Sequence, residues 1–125
     1  MNKIKFPKET RTKWLEALRS GDYKQGQIYL RNKENEFCCL GVLCDILGAE
    51  WDIGPYSGGY KPNDADMCVI TEQAVGYDIN CALEKDIAFK DNHMSLGTIL
   101  IEMNDNMKED FTKIADFIEL TTEPV

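Results

Sequence analysis

The segment "FCCLGVLCDILG" at residues 37–48 constrains the fold more than any other stretch, because it is apolar on nearly every side. Apolar residues recur at helical spacing at Phe37, Leu40, Cys44 and Leu47. The residues between them are also mostly apolar, and a helix with that pattern is buried on all sides. The segment therefore predicts a central, cysteine-rich helix that ends at Gly48.

A glycine stands in the middle of this predicted helix. Gly41 lowers helix stability by about 1 kcal/mol relative to alanine. A glycine that is kept at such a cost indicates that another part of the backbone approaches closely. We therefore expect a backbone contact at Gly41.

Capping residues and apolar stripes predict further helices. A helix is expected from about residue 8 to 20, after Pro7 and before Gly21. Ser95 and Asp110 each precede an apolar stripe and are expected to cap a helix. Thr71 is expected to cap one or two helical turns in "TEQAVGYDI".

Short strands are predicted between the helices. Residues 27–31, "QIYLR", alternate as a half-buried strand does, with Ile28 and Leu30 on one face. The turn "NKEN" would let "EF" pair back briefly, and "MCVI" and "DIAF" are two more candidate strands. Residues 51–66 form a long loop with several Gly and Pro residues. The tail "LTTEPV" is expected to fray.

These elements predict one compact α+β domain over residues 1–125. Four or five helices would pack on a small antiparallel sheet around the buried cysteine-rich helix. The chain has 125 residues, the size of one ordinary domain. It has no run of about 20 apolar residues and no signal-peptide pattern at its start, so a cytosolic protein with no membrane contact is expected. Its five cysteines, an odd number, are expected to be free thiols there.

The charge is distributed unevenly. The net charge is −8, yet residues 1–33 carry nine Lys or Arg against three acids, a local +6, and the remainder is −14. Overall acidity argues against duplex nucleic acid as a partner. It leaves room for a small phosphorylated ligand near the basic N-terminal third. The asymmetry could equally serve solubility alone, or mark a head-to-tail or partner-facing surface.

The cysteines do not have the spacing of a metal site. Cys38 and Cys39 are adjacent, so on a helix they point about 100° apart, and Cys68 and Cys81 stand alone. No phosphate-binding glycine motif is present either. We therefore expect neither a metal nor a cofactor.

A thiol nucleophile is the enzymatic alternative. Cys38 or Cys39 would lie in the first turn of a helix, where the helix dipole favours a thiolate. His93 and Asn104 follow in the order that papain-like thiol hydrolases use. The sequence favours a simpler role, in which the cysteines are small buried apolar residues and His93 lies in a loop. No catalytic residue is assigned.

Two polar features lie in apolar surroundings. Asp45 in the buried helix needs a cation or several donors, and Arg31 is the natural partner. The pair would be either an internal clamp or part of a ligand site. The segment "MNDN" at residues 103–106 is either a helix end followed by a turn, or a source of side-chain amides such as Asn104 in a cleft.

Several segments together resemble a family of small, mostly uncharacterised proteins of phages and prophages. They are "KWLEALRSGDYKQGQIYLR", "FCCLGVLCD" and "LIEMNDNMKEDFTKIADFIE", within residues 13–48 and 96–119. Where that family commonly has Gly after "ND", this chain has "NMKE". The resemblance does not extend to residues 51–93. It implies a phage origin and action in the host cell cytoplasm, and it implies no established activity.

The leading hypothesis is a binding protein. In a phage setting, a small acidic protein could sequester an anionic, nucleotide-like ligand and so counter host defence, and a homo-oligomer is one expected form of it. Phosphate-binding cations, amides and aromatic rings would form the site. The candidate ligand-binding residues are Arg19, Lys24, Gln25, Tyr29, Arg31, Tyr56, Tyr60 and Asn104.

Three other functions remain open from the sequence. The first is an inhibitor that binds a host defence protein through acids of the C-terminal part, namely Glu102, Asp105, Glu109, Asp110 and Asp116. The second is the cysteine-dependent hydrolase. The third is a helix-turn-helix regulator, which "DFTKIADFIE" disfavours because it is acidic and has one lysine.

Overall fold

The computed structural model describes residues 3–56 and 58–125, so Ser57 of the predicted 51–66 loop lies outside the described residues. The buried central helix is confirmed as α2, Cys39–Ile46. Cys38 is its N-cap rather than part of its first turn, and the Cys38 Sγ accepts a hydrogen bond from the Gly41 N–H (3.4 Å). Every residue from Cys39 to Cys44 is buried. Gly48 follows the helix at a φ of 86°.

Helix α1, Lys8–Ser20, packs against both α2 and the second long helix, α6, Phe111–Thr121. Helix α1 is confirmed and ends at Gly21, which has the left-handed φ of 82°. Helix α6 is confirmed with Asp110 as its N-cap, which accepts from the Lys113 N–H (2.9 Å). The Trp14 indole on α1 donates to the Cys39 carbonyl (3.0 Å), which ties α1 to the start of α2.

The helix predicted after Ser95 is present but changes form along its length. Helix α5, Leu96–Ile101, is capped by the Ser95 hydroxyl, and Glu102–Asn106 continues it as one turn of π-helix. The π-turn replaces the predicted helix end and turn at "MNDN". It buries Asn104 completely.

Residues 71–83 form two short helices, α3, Glu72–Val75, and α4, Tyr77–Leu83. Gly76, at a φ of 88°, separates them. Thr71 is the N-cap of α3, as predicted, although its hydroxyl makes no capping hydrogen bond. With these two, the described ranges contain six α-helices, one or two more than the four or five that the sequence predicted.

The strand predicted at residues 27–31 is wrong. Residues 27–30 are bends, and only isolated bridges join Gln25 and Arg31 to Phe37. The alternation fails because Ile28 has a φ of 75° and turns outward, while Leu30 is fully buried. The bridge between Arg31 and Phe37 confirms that the chain pairs back briefly after the "NKEN" turn.

The strands pair as three separate two-stranded sheets in the described part of the chain. Strand β1, Ile4–Phe6, pairs in parallel with β6, Thr122–Pro124. Strand β2, Trp51–Asp52, pairs antiparallel with β3, Lys61–Pro62. Strand β4, Asp86–Phe89, pairs antiparallel with β5, Asn92–Ser95. Strand β4 is the predicted "DIAF" strand. "MCVI" forms no strand; the Met67 carbonyl instead accepts from the Leu30 N–H (2.9 Å).

The tail does not fray as predicted, because β6 is held by β1. The compact α+β domain itself is confirmed. Its core lies between α1, α2, α5 and α6, and the irregular 25–37 segment and the 51–66 segment cover one side of α2.

Candidate functional site

Arg31 lies against three aromatic side chains. Its guanidinium carbon is 5.3 Å from the ring centre of Phe37, 5.5 Å from that of Trp51 and 5.2 Å from that of Tyr60. A guanidinium at this distance from a ring centre is attracted by the ring's quadrupole. These four residues are here called the Arg31 surface.

Backbone contacts fix where Arg31 stands. Its carbonyl accepts from the Tyr60 N–H (2.9 Å), which draws the 51–66 segment onto the chain before α2. Its Nε and Nη2 donate to the Asn35 Oδ1 (3.2 and 2.8 Å). Among the described residues no carboxylate forms an ion pair with Arg31. Its Nη1 hydrogens have no protein acceptor there, so the guanidinium is held in place with donor groups to spare.

Asp45 does not pair with Arg31, which corrects the sequence expectation. The half-buried Asp45 carboxylate accepts from the Tyr23 hydroxyl (2.5 Å) and from the Trp51 indole N–H (2.9 Å). Two neutral donors therefore take the place of the expected cation. Burial, together with the hydrogen bond to Asp45, raises the pKa of Tyr23 well above its usual value.

Asp45 holds two of the aromatic side chains that pack at or beside the Arg31 surface, Trp51 and Tyr23. It orients the Trp51 ring through the indole N–H, and it holds Tyr23, whose ring meets Phe37 edge-on at 5.0 Å. Phe37 and Trp51 also meet edge-on, at 5.8 Å. The three rings are therefore fixed relative to one another around one carboxylate.

The 51–66 segment is only in part a loop, since β2 and β3 pair at its base. Gly59 lets the Tyr29 ring pack against it, because a Cβ atom at this position would stand 2.7 Å from the Tyr29 Cδ1. The Tyr56 hydroxyl donates to Asp52 (2.7 Å), and the Lys61 ammonium lies 4.5 Å from the Tyr56 ring centre. Tyr29 and Tyr56 are thus part of the segment's own packing.

Asn104 is fully buried and Gln25 donates to it, so hydrogen bonds within the protein engage both of these predicted ligand residues. The Asn104 side-chain oxygen accepts from Gln25 (2.9 Å) and from the Cys39 N–H (3.3 Å). Its nitrogen donates to the Gly26 carbonyl (2.8 Å) and to Asp105 (2.9 Å). With every polar atom of this buried amide bonded within the protein, its role is structural.

Arg19 and Lys24 are likewise engaged elsewhere. Arg19 forms ion pairs with Asp116 (2.7 Å) and Glu119 (2.6 Å) of α6, and the hydrogen bond to Asp116 followed by that to Glu119 raises its pKa. The exposed Lys24 forms an ion pair with Glu36, in which its Nζ lies 3.4 Å from the Glu36 Oε2. Of the predicted ligand residues, the structure therefore brings Arg31 and Tyr60 together at one surface.

The sequence interpretation did not assign Phe37 or Trp51 to the site. A signal was present for both: Trp51 is one of three aromatics in the predicted loop, and Phe37 follows the turn that was expected to pair back to Arg31.

The thiols of α2 lie in apolar surroundings. Cys39 is fully buried, and its Sγ lies 3.6 Å from the Leu100 carbonyl of α5. Burial raises the pKa of Cys38 to about 12 and raises that of Cys39 well above the usual thiol value. A buried neutral thiol is a poor nucleophile.

His93 stands apart from these thiols. It was expected in a loop but lies in β5, opposite Ala88, and its side chain is exposed. The cysteine, histidine and asparagine in sequence order therefore do not form a catalytic group, because the cysteine and Asn104 are buried in the core and His93 is on a surface hairpin.

Over residues 3–56 and 58–125, no group of three His, Cys, Asp or Glu side chains is arranged to hold a metal ion. No described helix combines the length and apolar character needed to cross a bilayer.

Comparison with known proteins gives a family and nothing more specific. No curated protein and no solved structure matches the chain. The model of one family, described as a domain of unknown function (DUF8296), matches residues 6–122, which include the Arg31 surface and the Asn104 network. The chain belongs to the DUF8296 family.

Proposed function

We propose that this protein is a non-enzymatic binding protein that holds a small anionic, nucleotide-like ligand at the Arg31 surface. The observation that supports it is the state of Arg31, a cation held by three aromatic rings with no carboxylate partner in the described chain. Arg19, by contrast, is neutralised by ion pairs with Asp116 and Glu119.

The chemistry of the surface suits a phosphate joined to a flat ring. The second Nη2 hydrogen of Arg31 and the adjacent Nη1 hydrogen can donate to two phosphate oxygens in the paired geometry that a guanidinium favours. The half-buried rings of Trp51 and Tyr60 offer apolar area to a base. Fixed rings and a fixed cation lower the entropy lost on binding.

The biological setting we propose is counter-defence in the cytoplasm of a phage-infected cell. Its support is the resemblance of the cysteine block and its flanking segments to phage proteins. The absence of an accessible thiolate among the α2 cysteines favours sequestration of a ligand over its hydrolysis.

Native mass spectrometry of the protein purified from cells with and without active defence systems tests this proposal. We expect an added mass in the nucleotide range that is lost on denaturation and in Arg31→Gln. Lys24→Gln is the matched control, because Lys24 is an exposed cation of the same basic segment outside the Arg31 surface.

A second experiment uses defined probes. Purified protein is titrated calorimetrically with AMP, with a cyclic dinucleotide and with uncharged adenosine. Binding of a phosphorylated probe by the wild type and the Lys24→Gln variant, but not by Arg31→Gln, supports the proposal. An apo mass from both kinds of cell together with no binding of any phosphorylated probe would overturn it.

A further inference from the structure

Ile28 occupies a strained and exposed position. Its φ is 75°, and the Tyr29 N–H donates to the Gln27 carbonyl across it (2.9 Å). These are the features of the γ-turn with a positive central φ, a rare and strained form. A β-branched residue adopts a positive φ only at a cost. Here its side chain is 61% exposed, so packing within the chain does little to offset that cost.

The turn is held by a polar network from the other end of the sequence. The Asp105 Oδ1 accepts from the Ile28 N–H (3.0 Å) and from the buried Asn104 side chain (2.9 Å). Asn104 also donates to the Gly26 carbonyl (2.8 Å). The chain is thus fixed two residues before Ile28 and at Ile28 itself. A single exposed apolar residue is ordinary, but backbone strain that is held in place by several hydrogen bonds supports a hypothesis of function.

The protein that surrounds this turn is acidic. The π-turn and the residues after it, 102–110, carry four carboxylates and one lysine, a local net charge of −3. Ile28 is therefore an apolar knob beside an acidic segment. A complementary surface would offer an apolar recess bordered by ammonium groups.

Such a surface exists on the same chain. A groove of about 660 Å³ lies between β1 and β4, lined by Lys3, Lys5 and Lys85 and by the half-buried Ile87. Asp86 and Glu123 also line it, so the lysines outnumber the acids by one. The groove has ample room for an isoleucine side chain.

The knob and the groove lie at opposite ends of α6. Residues 102–110 lead into the N-terminus of α6, and β6, which pairs with β1 at the groove, follows its C-terminus directly. Eleven helical residues separate them by about 16 Å along the axis. A copy cannot insert its own knob into its own groove at that separation, but a second copy can.

We propose that the protein associates head to tail, with Ile28 of one copy inserted into the groove between β1 and β4 of the next. The contact joins two different surfaces, so it builds a closed ring or an open chain rather than a two-fold dimer. It does not involve the Arg31 surface, and its failure would leave the ligand proposal untouched. The net charge of −8 opposes association at long range, and salt near 0.15 M screens that repulsion beyond about 8 Å.

Sedimentation velocity of the full chain at 0.15 M salt, over a range of concentrations, tests the proposal. The wild type is expected to form species heavier than the 14.3 kDa monomer as concentration rises. Ile28→Asp removes the knob, and Asp tolerates a positive φ better than Ile, so folding is retained. The double variant Lys5→Glu, Lys85→Glu removes the groove's charge. Each variant alone should remain monomeric.

Mixing the two variants gives the sharpest result. One copy keeps an intact groove and the other an intact knob, so the mixture should form a one-to-one dimer and nothing larger. Ile53→Asp is the control, because Ile53 is 69% exposed and belongs neither to the groove nor to the acidic 102–110 segment, and it should associate like the wild type. A wild type that stays monomeric up to millimolar concentration, association that survives Ile28→Asp, or a mixture that stays monomeric would each overturn the proposal.

Discussion

Gly41 and Leu30 meet backbone to backbone: a Cβ atom at position 41 would overlap the carbonyl oxygen of Leu30. The same Leu30 carbonyl accepts from the Cys38 N–H (3.2 Å), so the irregular segment before α2 is seated directly on the first turns of that helix. The contact expected from a glycine in the middle of a helix is confirmed. It also explains how Arg31, the next residue, is placed beside Phe37.

Gly41→Ala should therefore be severely destabilising. The added methyl group meets backbone that cannot rotate away, and we expect a loss of about 4 kcal/mol or more in the free energy of unfolding. Gly97→Ala is the matched control, because Gly97 is also helical and its Cβ would lie 3.4 Å from the nearest atom, the Leu83 carbonyl oxygen. Urea unfolding measures both; a loss of under 1 kcal/mol at position 41 would contradict the close contact.

Replacement of Asn104 by Leu should cost about 2–4 kcal/mol, since it leaves the Cys39 N–H and the Gly26 carbonyl buried without their partner. Asn106→Leu, at the exposed end of the same π-turn, should change stability by less than about 0.5 kcal/mol. Equal effects from the two substitutions, measured by urea unfolding, would show that the buried amide does not organise this region.

Ile28→Gly should stabilise the monomer, which is unusual for an isoleucine replacement. Relief of the left-handed backbone should contribute about 1–2 kcal/mol, less the entropy cost of a glycine. Ile53→Gly is the comparison, because Ile53 is 69% exposed and has no positive φ, so glycine there should only destabilise. Thermal unfolding below the concentration of self-association reads out both. If Ile28→Gly destabilised the protein as much as Ile53→Gly does, the backbone at Ile28 would not be strained.

The buried thiols predict a loss of stability at alkaline pH. The pKa of Cys38 is raised to about 12 by burial, above its usual value of 9.0, so the unfolded chain releases this proton first. Stability is therefore fully present below pH 9 and falls between pH 9 and pH 12, by about 1.4 kcal/mol per pH unit for each such thiol. Burial raises the pKa of Cys39 and Cys44 as well, so the three thiols act together.

Urea unfolding between pH 8 and pH 11 would show this dependence. Cys44→Ala should lower the slope of unfolding free energy against pH by the contribution of one thiol, about 1.4 kcal/mol per pH unit. This holds whatever the substitution does to stability at neutral pH. Cys81→Ala, at a half-buried site outside α2, serves as the control. A slope that does not change in Cys44→Ala would mean that this thiol is not titrating as its burial requires.

Asp45→Ala should loosen the Arg31 surface as well as destabilise the fold. It removes the acceptor of both the Tyr23 hydroxyl and the Trp51 indole, with an expected cost of about 1–3 kcal/mol. Trp51 should become more mobile, which the tryptophan fluorescence anisotropy would report in a Trp14→Phe background. The exposed Asp22→Ala is the control, and an unchanged anisotropy in Asp45→Ala would show that the carboxylate does not hold the ring.

The sequence predicted those elements whose cause is local. Helices α1, α5 and α6 begin at Pro7, Ser95 and Asp110, and α2 is buried because it is apolar all round. The strand at 27–31 was wrong because its outcome depends on Asp105, 77 positions away, which takes the Ile28 N–H out of any ladder. No local pattern contains that information.

The same distinction holds at the site. Arg31 and Tyr60 could be predicted to lie at one surface because a cation and an aromatic loop are visible in the sequence. The partners of Asp45 could not be predicted. Tyr23, Trp51 and Arg31 all lie close to Asp45 in the sequence, and only the packed structure selects Tyr23 and Trp51. The burial of Asn104 could not be predicted, because it results from the π-turn, and no pattern in the sequence indicates that turn.

The pairing of β1 with β6 has a consequence for how the chain is made. The fully buried Phe6 belongs to a strand whose partner, Thr122–Pro124, follows 118 positions later in the chain. Synthesis at about 5–20 residues per second leaves β1 unpaired for several seconds. During that interval α1 and α2 can begin to pack, but the edge of β1 and its apolar face stay open to other chains, so misassociation of the growing polypeptide is most favoured at β1 until β6 has been made.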